Sequence, residues 1–205
     1  MAVASGQIVI LNGAPRAGKT SIARAVQNQL SGFWINLGVD AVNATLPRSL
    51  LPGIGLRPGG ERPDLEPVLP NLFDALYQSI AAHARLGFNV VVDIGHHDDY
   101  THSLHILPAC ARRLVGMPVL FIGVHCPLDT IMARRNSDPQ DGFYASGDTV
   151  PPPVARWQVA VHQPGIYDLE LDTSTLTPEA SADIIGQTLA RSVVHPTAFE
   201  RLADS

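Results

Sequence analysis

Residues 13 to 20 read Gly-Ala-Pro-Arg-Ala-Gly-Lys-Thr, followed by a second hydroxyl at Ser21 and preceded by the apolar run Gln7-Ile-Val-Ile-Leu-Asn12. Each residue type answers a demand of polyphosphate binding. Gly13 and Gly18 permit backbone conformations and approach distances that a Cβ blocks. Across Ala14, Pro15, Arg16 and Ala17 the chain turns so that backbone N–H groups and the positive end of the next helix point at one spot. Lys19 brings a mobile cation to the outer phosphates, and Thr20 offers a hydroxyl to Mg²⁺. Such a pattern also arises by chance, but here a strand pattern precedes it and a helix pattern follows. Ile22, Ala23, Val26 and Leu30 fall on one face of that helix. A bound nucleotide is the expectation.

Phosphoryl transfer to a hydroxyl also needs a held metal, a base for the acceptor oxygen and a cation near the moving group. Asp93 follows Val90-Val-Val92, at the carboxyl end of a buried strand, where it either organises Mg²⁺ or simply caps a turn. Asp40 ends the run Trp34-Ile-Asn-Leu-Gly-Val39 and faces the same crevice. Two readings of it stay open: a base accepting the hydroxyl proton, or the N-cap of a helix begun by Ala41-Val-Asn-Ala44. Arg134 and Arg135 end a helix, where a guanidinium either reaches the transferring group or complements the helix dipole. His96, His97, His102 and His105 crowd together with Asp98 and Asp99, but without a matched set of zinc ligands, so substrate contact by His96 or His97 is the favoured reading. Cys110 and Cys126 read as buried thiols.

These residues need a scaffold, and the hydrophobic pattern predicts one. Five apolar runs, at 8–11, 33–37, 90–92, 119–124 and 167–171, read as buried parallel strands. Helical patterns at 20–30, 67–86, 104–114, 128–135, 154–162 and 178–193 separate them, giving an α/β fold in one domain over residues 1–205. The stretch 47–70, dense in proline and glycine, is expected to be a substrate-facing loop, since it opens beyond the second strand where α/β sheets bind ligands. Its Leu50, Leu51, Ile54, Leu56, Leu65, Val68 and Leu69 argue for a small, partly apolar acceptor. Residues 136–163 are placed like a lid, and 198–205 read as a frayed end.

Composition narrows the partners. The chain is 45% hydrophobic and 16% charged with a net charge of −5, and Lys19 is its only lysine, which argues against a nucleic-acid partner. No stretch has the length and apolarity of a signal peptide core or a membrane span, so a cytoplasmic location is expected. Oligomeric state leaves no readable trace.

Four segments together resemble the chloramphenicol phosphotransferase family: Ile10 through Thr20, Gly38-Val-Asp40, Val90-Val-Val-Asp93, and the run from Trp157 through Ser174. The first is widespread among nucleotide-binding proteins; Gly-Val-Asp and the Gln…Val-His…Tyr-Asp…Asp-Thr-Ser run are more particular. The resemblance implies a P-loop kinase fold with a five-stranded parallel sheet in the order 2-3-1-4-5. It also implies ATP-dependent transfer to a primary hydroxyl of an antibiotic. Asp40 becomes the base, with Lys19 and Arg134 stabilising charge, Thr20 and Asp93 at Mg²⁺, and the loop after Asp172-Thr173 enclosing adenine. One departure stands out. Relatives carry a second lid arginine where this chain has Asn136-Ser-Asp138, leaving Arg135, Arg156 or Arg16 as replacements. The competing readings are a kinase of another metabolite or nucleoside, and a nucleotide-binding protein with little catalytic activity.

Overall fold

A computed structural model describes residues 4–138, 149–191 and 194–205. Its sheet has five parallel strands in the order β2-β3-β1-β4-β5: β1 Ile8–Asn12, β2 Trp34–Asn36, β3 Asn89–Ile94, β4 Val119–His125 and β5 Leu169–Asp172. The expected order holds. β1 is buried at every position, as a central parallel strand covered on both faces must be. On one face Ile8, Ile10, Val90, Val92 and Phe121 pack under α3 (Leu69–Arg85), α4 (Ile106–Arg113) and α8 (Ala198–Ala203). On the other, Val9, Leu11, Val91, Ile122 and Val124 pack under α1 (Lys19–Gln29) and α7 (Pro178–Leu189). The register sets Leu11 beside Asp93, so the end of β3 lies next to the loop leaving β1.

The described residues include three further short helices: α2 (Val39–Asn43), α5 (Leu128–Ser137) and α6 (Pro152–Ala160). The proline-rich stretch 47–70 folds as three single turns of 3₁₀ helix, at Arg48–Leu50, Gly53–Gly55 and Glu66–Val68, before α3 begins. The helix expected at 104–114 starts at Ile106, because the Asp98 carboxylate accepts the N–H groups of Leu104 and His105 and ends the loop there. Of the expected lid, residues 139–148 lie outside the described residues, and so do the last two residues of the helix expected at 178–193.

The expectation of a frayed end at 198–205 is overturned. Thr197 and Glu200 form a reciprocal capping box, and Ala198, Phe199 and Leu202 bury against α4 and β4. Asp168 holds the junction, accepting from Ala198 N–H at 2.7 Å and Phe121 N–H at 2.9 Å. No helix among the described residues is long and apolar enough to cross a membrane.

Candidate active site

A cleft of about 1390 Å³ opens above the carboxyl ends of β1, β2 and β3. The phosphate loop forms its floor. A Cβ at Gly13 would lie 2.4 Å from the Val124 carbonyl oxygen, so only glycine lets the loop leave β1 so close to β4. Gly18 stands at φ +96° as the N-cap of α1, a left-handed conformation that an L side chain resists. Gly13, Ala14, Pro15, Arg16, Gly18, Lys19, Thr20 and Ser21 all line the cleft; Ala17 is buried beneath.

Lys19 donates to the carbonyls of Gly13 at 2.7 Å and Ala14 at 2.8 Å, folding back over its own loop. Loss of solvent pushes its pKa down to about 8, against the opposing pull of Asp93 and then Asp40. Thr20 donates from Oγ1 to Asp93 Oδ2 at 2.6 Å, joining the start of α1 to the end of β3. Mg²⁺ commonly takes only one or two protein oxygens, with phosphates and water completing its shell, and this hydroxyl–carboxylate pair on the cleft wall fits that demand.

Gly38 explains the glycine of Gly-Val-Asp. A Cβ there would fall 1.5 Å from Asp93 Oδ1, so the carboxylate packs directly on the backbone of the next element. Gly38 is also the N-cap of α2, which settles one of the two readings of Asp40. Asp40 lies within the first turn, not at the cap, and its side chain is exposed on the cleft wall.

The arginines separate by location. Arg134 donates to Thr173 Oγ1 at 3.1 Å, to the Thr173 carbonyl at 2.7 Å and to the Arg16 carbonyl at 3.0 Å, while Thr173 Oγ1 donates to the Ala17 carbonyl at 2.7 Å. The guanidinium thus clamps the phosphate loop to the turn after β5. Arg135 is buried and borders the cleft. Arg16 donates to Asp138 Oδ2 at 2.9 Å and to the Asp138 carbonyl, joining the phosphate loop to the end of α5. Arg156 is not among the residues lining the cleft; it pairs with Asp99 at 3.2 Å beside Gly59 of loop 47–70. Beyond β5, Thr173, Leu176 and Pro178 line the cleft, whereas the Asp172 carboxylate accepts from Ser174 N–H at 2.8 Å and Oγ at 2.7 Å, within its own turn.

The side of the cleft bordered by loop 47–70, expected to be substrate-facing, differs from expectation in its charge. Leu65 and Leu69 belong to the core, while Leu51, Pro52, Ile54 and Leu56 border the cleft together with Arg57, Glu61 and Arg62. Arg62 is held by Asp64 through two bonds, of 2.8 and 2.7 Å. Val39, Val154 and Trp157 supply further apolar wall. Trp157 has no signal in the sequence that places it in the site beyond membership of the 157–174 run. His96 and His97 do not line the cleft. His96 Nε2 lies 2.7 Å from the Tyr77 hydroxyl, and burial followed by the adjacent His97 drives its pKa from 6.5 to about 3. His97 Nε2 lies 2.8 Å from the Leu56 carbonyl, and its ring meets Trp157 edge-on. Both histidines shape the cleft from behind.

A phosphate loop ahead of a hydroxyl–carboxylate pair, in a 2-3-1-4-5 parallel sheet, defines the P-loop kinase class. The chain belongs to the chloramphenicol phosphotransferase-like family, whose model matches residues 6–190. It is 29% identical over 211 residues to "Putative O-phosphotransferase Rv2636" of Mycobacterium tuberculosis, covering 96% of this chain and 88% of the relative. Among solved structures, the tunicamycin resistance protein of Deinococcus radiodurans has a TM-score of 0.58 at 18% identity, covering 93% of this chain and 99% of the other. Shikimate kinase from Acinetobacter baumannii has a TM-score of 0.57 at 11% identity, with 91% and 94% covered. The APS kinase of Mycobacterium tuberculosis, solved with AMPPNP and APS, has 0.53 at 18% identity, with 92% and 99% covered. At these identities the structures share the fold. Family and fold together make this chain a P-loop phosphotransferase.

Proposed function

We propose that the protein uses ATP to phosphorylate a hydroxyl group of a small molecule, with chloramphenicol or a related antibiotic as the first acceptor class to test. The observation that carries this reading is the placement of Asp40 on the same cleft as Lys19, Thr20 and Asp93. The family to which the chain belongs supports the antibiotic.

In this reading Asp40 accepts the proton of the acceptor hydroxyl as its oxygen attacks the γ-phosphorus and the bond to the β-phosphate oxygen breaks. A base so placed contributes about 10²- to 10⁴-fold in rate. Lys19 leaves the Gly13 and Ala14 carbonyls for the phosphates and brings its cation to the charge that builds there. Thr20 and Asp93 would hold Mg²⁺, which would neutralise phosphate charge there. Arg134 keeps the phosphate loop and the turn after β5 together, and Leu176 and Pro178 provide an apolar surface for the base.

Asp40→Asn tests the assignment. ATP affinity stays near the parent value while turnover, followed as ADP release over a panel of hydroxyl compounds with and without chloramphenicol, falls at least about 100-fold. Unchanged turnover removes Asp40 as the base. A second reading, nucleotide binding with little transfer, draws on the Arg16–Asp138 pair; ADP release from no acceptor in the panel, with ATP bound, selects it.

A further inference from the structure

The proposed chemistry leaves most of the run 157–174 unused. Its polar residues meet directly behind the phosphate loop. Asn12, the last residue of β1 and the neighbour of Gly13, is buried. Its amide nitrogen donates to the Val161 carbonyl at 2.8 Å and to the Tyr167 hydroxyl at 2.9 Å, and its Oδ1 accepts from the His96 N–H at 2.7 Å. Every hydrogen-bonding position of that amide except one lone pair is used.

The Tyr167 hydroxyl lies 2.9 Å from His162 Nδ1 and 3.3 Å from the Val161 carbonyl. Its single proton goes to the Val161 carbonyl when His162 Nδ1 carries a hydrogen, and to Nδ1 when that nitrogen is bare. Burial, then the neighbouring His125 and Lys19, push the His162 pKa down to about 4, so the ring is neutral near pH 7. The His125 ring stacks on it with centroids 4.0 Å apart, and Glu170 lies 2.7 Å from the far nitrogen of His125.

Val161 is the C-cap of α6, and α6 carries Trp157. The position a Cβ would take on Gly95 lies 3.2 Å from Trp157 Nε1 and 3.2 Å from the Gly13 carbonyl. The base of the phosphate loop and the acceptor wall therefore meet at two points: through Asn12 at Val161 and Tyr167, and across Gly95.

We propose that Asn12, Tyr167 and His162 are positioning residues, a bridge that fixes α6 and its Trp157 relative to the phosphate loop and carries nucleotide occupancy to the acceptor wall. They touch no reacting group; they act through Gly13 on one side and Trp157 on the other. The inference rests on the nucleotide-binding reading above.

The experiment follows Trp157 fluorescence. The chain has two tryptophans, so a Trp34→Phe background isolates the reporter. Mg²⁺ with AMPPNP is the probe. It shifts Trp157 emission in the background protein. Tyr167→Phe keeps the ring against Phe121, 5.0 Å between centroids, and loses only the hydroxyl. It retains AMPPNP affinity within about threefold and loses most of the emission change. His162→Leu behaves the same way, while His162→Asn, whose amide can replace Nδ1, keeps the response. An unaltered emission change in Tyr167→Phe and His162→Leu overturns the bridge, as does a loss that merely follows melting temperature across all three variants. A background protein that binds AMPPNP without any Trp157 response overturns the bridge alone. One that binds no AMPPNP removes the proposed function as well.

Discussion

Lys19 reaches back five and six residues to Ala14 and Gly13, whereas His97 reaches across 41 residues to Leu56 and Thr101 across 35 to Glu66. The phosphate-loop half closes its lysine onto its own loop, inside one strand, one loop and one helix, and long-range ties from Asp93 to Thr20, Arg134 to the Arg16 carbonyl and Thr173 to the Ala17 carbonyl fix that loop to the rest of the chain. Loop 47–70, on the side proposed for the acceptor, has local turns of its own and the Arg62–Asp64 pair, but longer ties seat it on the core. Loop 47–70 is held from outside: by Asp99, whose carbonyl accepts the Gly59 N–H at 2.8 Å, by His97 beneath Leu56, and by Thr101 on the buried Glu66 carboxylate. A half defined locally tolerates change elsewhere in the chain. In the proposed reading, changes confined to loop 47–70 alter the acceptor side while the Lys19 contacts to its own loop stay in place.

The sharpest way to break this comparison is Lys19→Met. It strikes the self-contained half, so both ATP affinity and turnover collapse, turnover by about 10²- to 10³-fold, whereas Asp40→Asn leaves affinity intact. Equal loss of affinity in the two variants, by isothermal titration with AMPPNP and Mg²⁺, contradicts the division.

Gly38→Ala acts at the joint between the halves. Its methyl group would overlap Asp93 Oδ1, so the carboxylate must move from Thr20. We expect a loss of about tenfold or more in Mg²⁺-dependent nucleotide affinity, with overpacking costing about 1–3 kcal/mol in a denaturant melt. An affinity equal to the parent's detaches Gly38 from the metal site.

Acid should unsettle the protein from beneath the acceptor half. His96 has a folded pKa near 3 against 6.5 when unfolded, so the unfolded chain binds the extra proton between these values. Its contribution is complete above about pH 6.5 and is lost as pH falls toward 3, on the order of a few kcal/mol in all. His96→Phe should flatten that limb of a stability-versus-pH curve measured by urea unfolding. The same slope in both proteins refutes the attribution.

The smallest effect belongs to Glu66→Gln, which keeps the shape of the buried side chain while weakening the bonds to Thr101. The acceptor KM rises about two- to tenfold, consistent with about 1 kcal/mol for such a bond, and AMPPNP affinity stays constant. A change in nucleotide affinity would show that the two halves are less separate than their bonding suggests.

What could be read in advance follows the same division. The strand, loop and α1 are contiguous, and apolar period, glycine placement and a lysine–hydroxyl pair all point one way there. Asp93 was legible because it ends a continuous apolar run. The last helix was missed because six residues show too little period, although Thr197 and Glu200 at capping-box spacing offered a usable signal. The loop leucines gave an impression of an apolar acceptor surface, but burial went to Leu65 and Leu69, while Arg57, Glu61 and Arg62 took part of the wall. Nothing in the order of residues shows which side of a 3₁₀ turn faces a cleft.

The sequence by itself determined the phosphate loop and its strand and helix, because the apolar run, the glycines and the lysine–hydroxyl pair that specify them are contiguous and glycine is required at defined points of the chain. Only the tertiary structure decided that Asp40 stands free of the helix cap and that Arg134 clamps the loop to the turn after β5. It alone decided that Arg16 meets Asp138, and that Asn12, Tyr167 and His162 gather behind Gly13. Those contacts join residues up to 155 positions apart, and only the packing of both faces of the sheet brings such residues within hydrogen-bond reach.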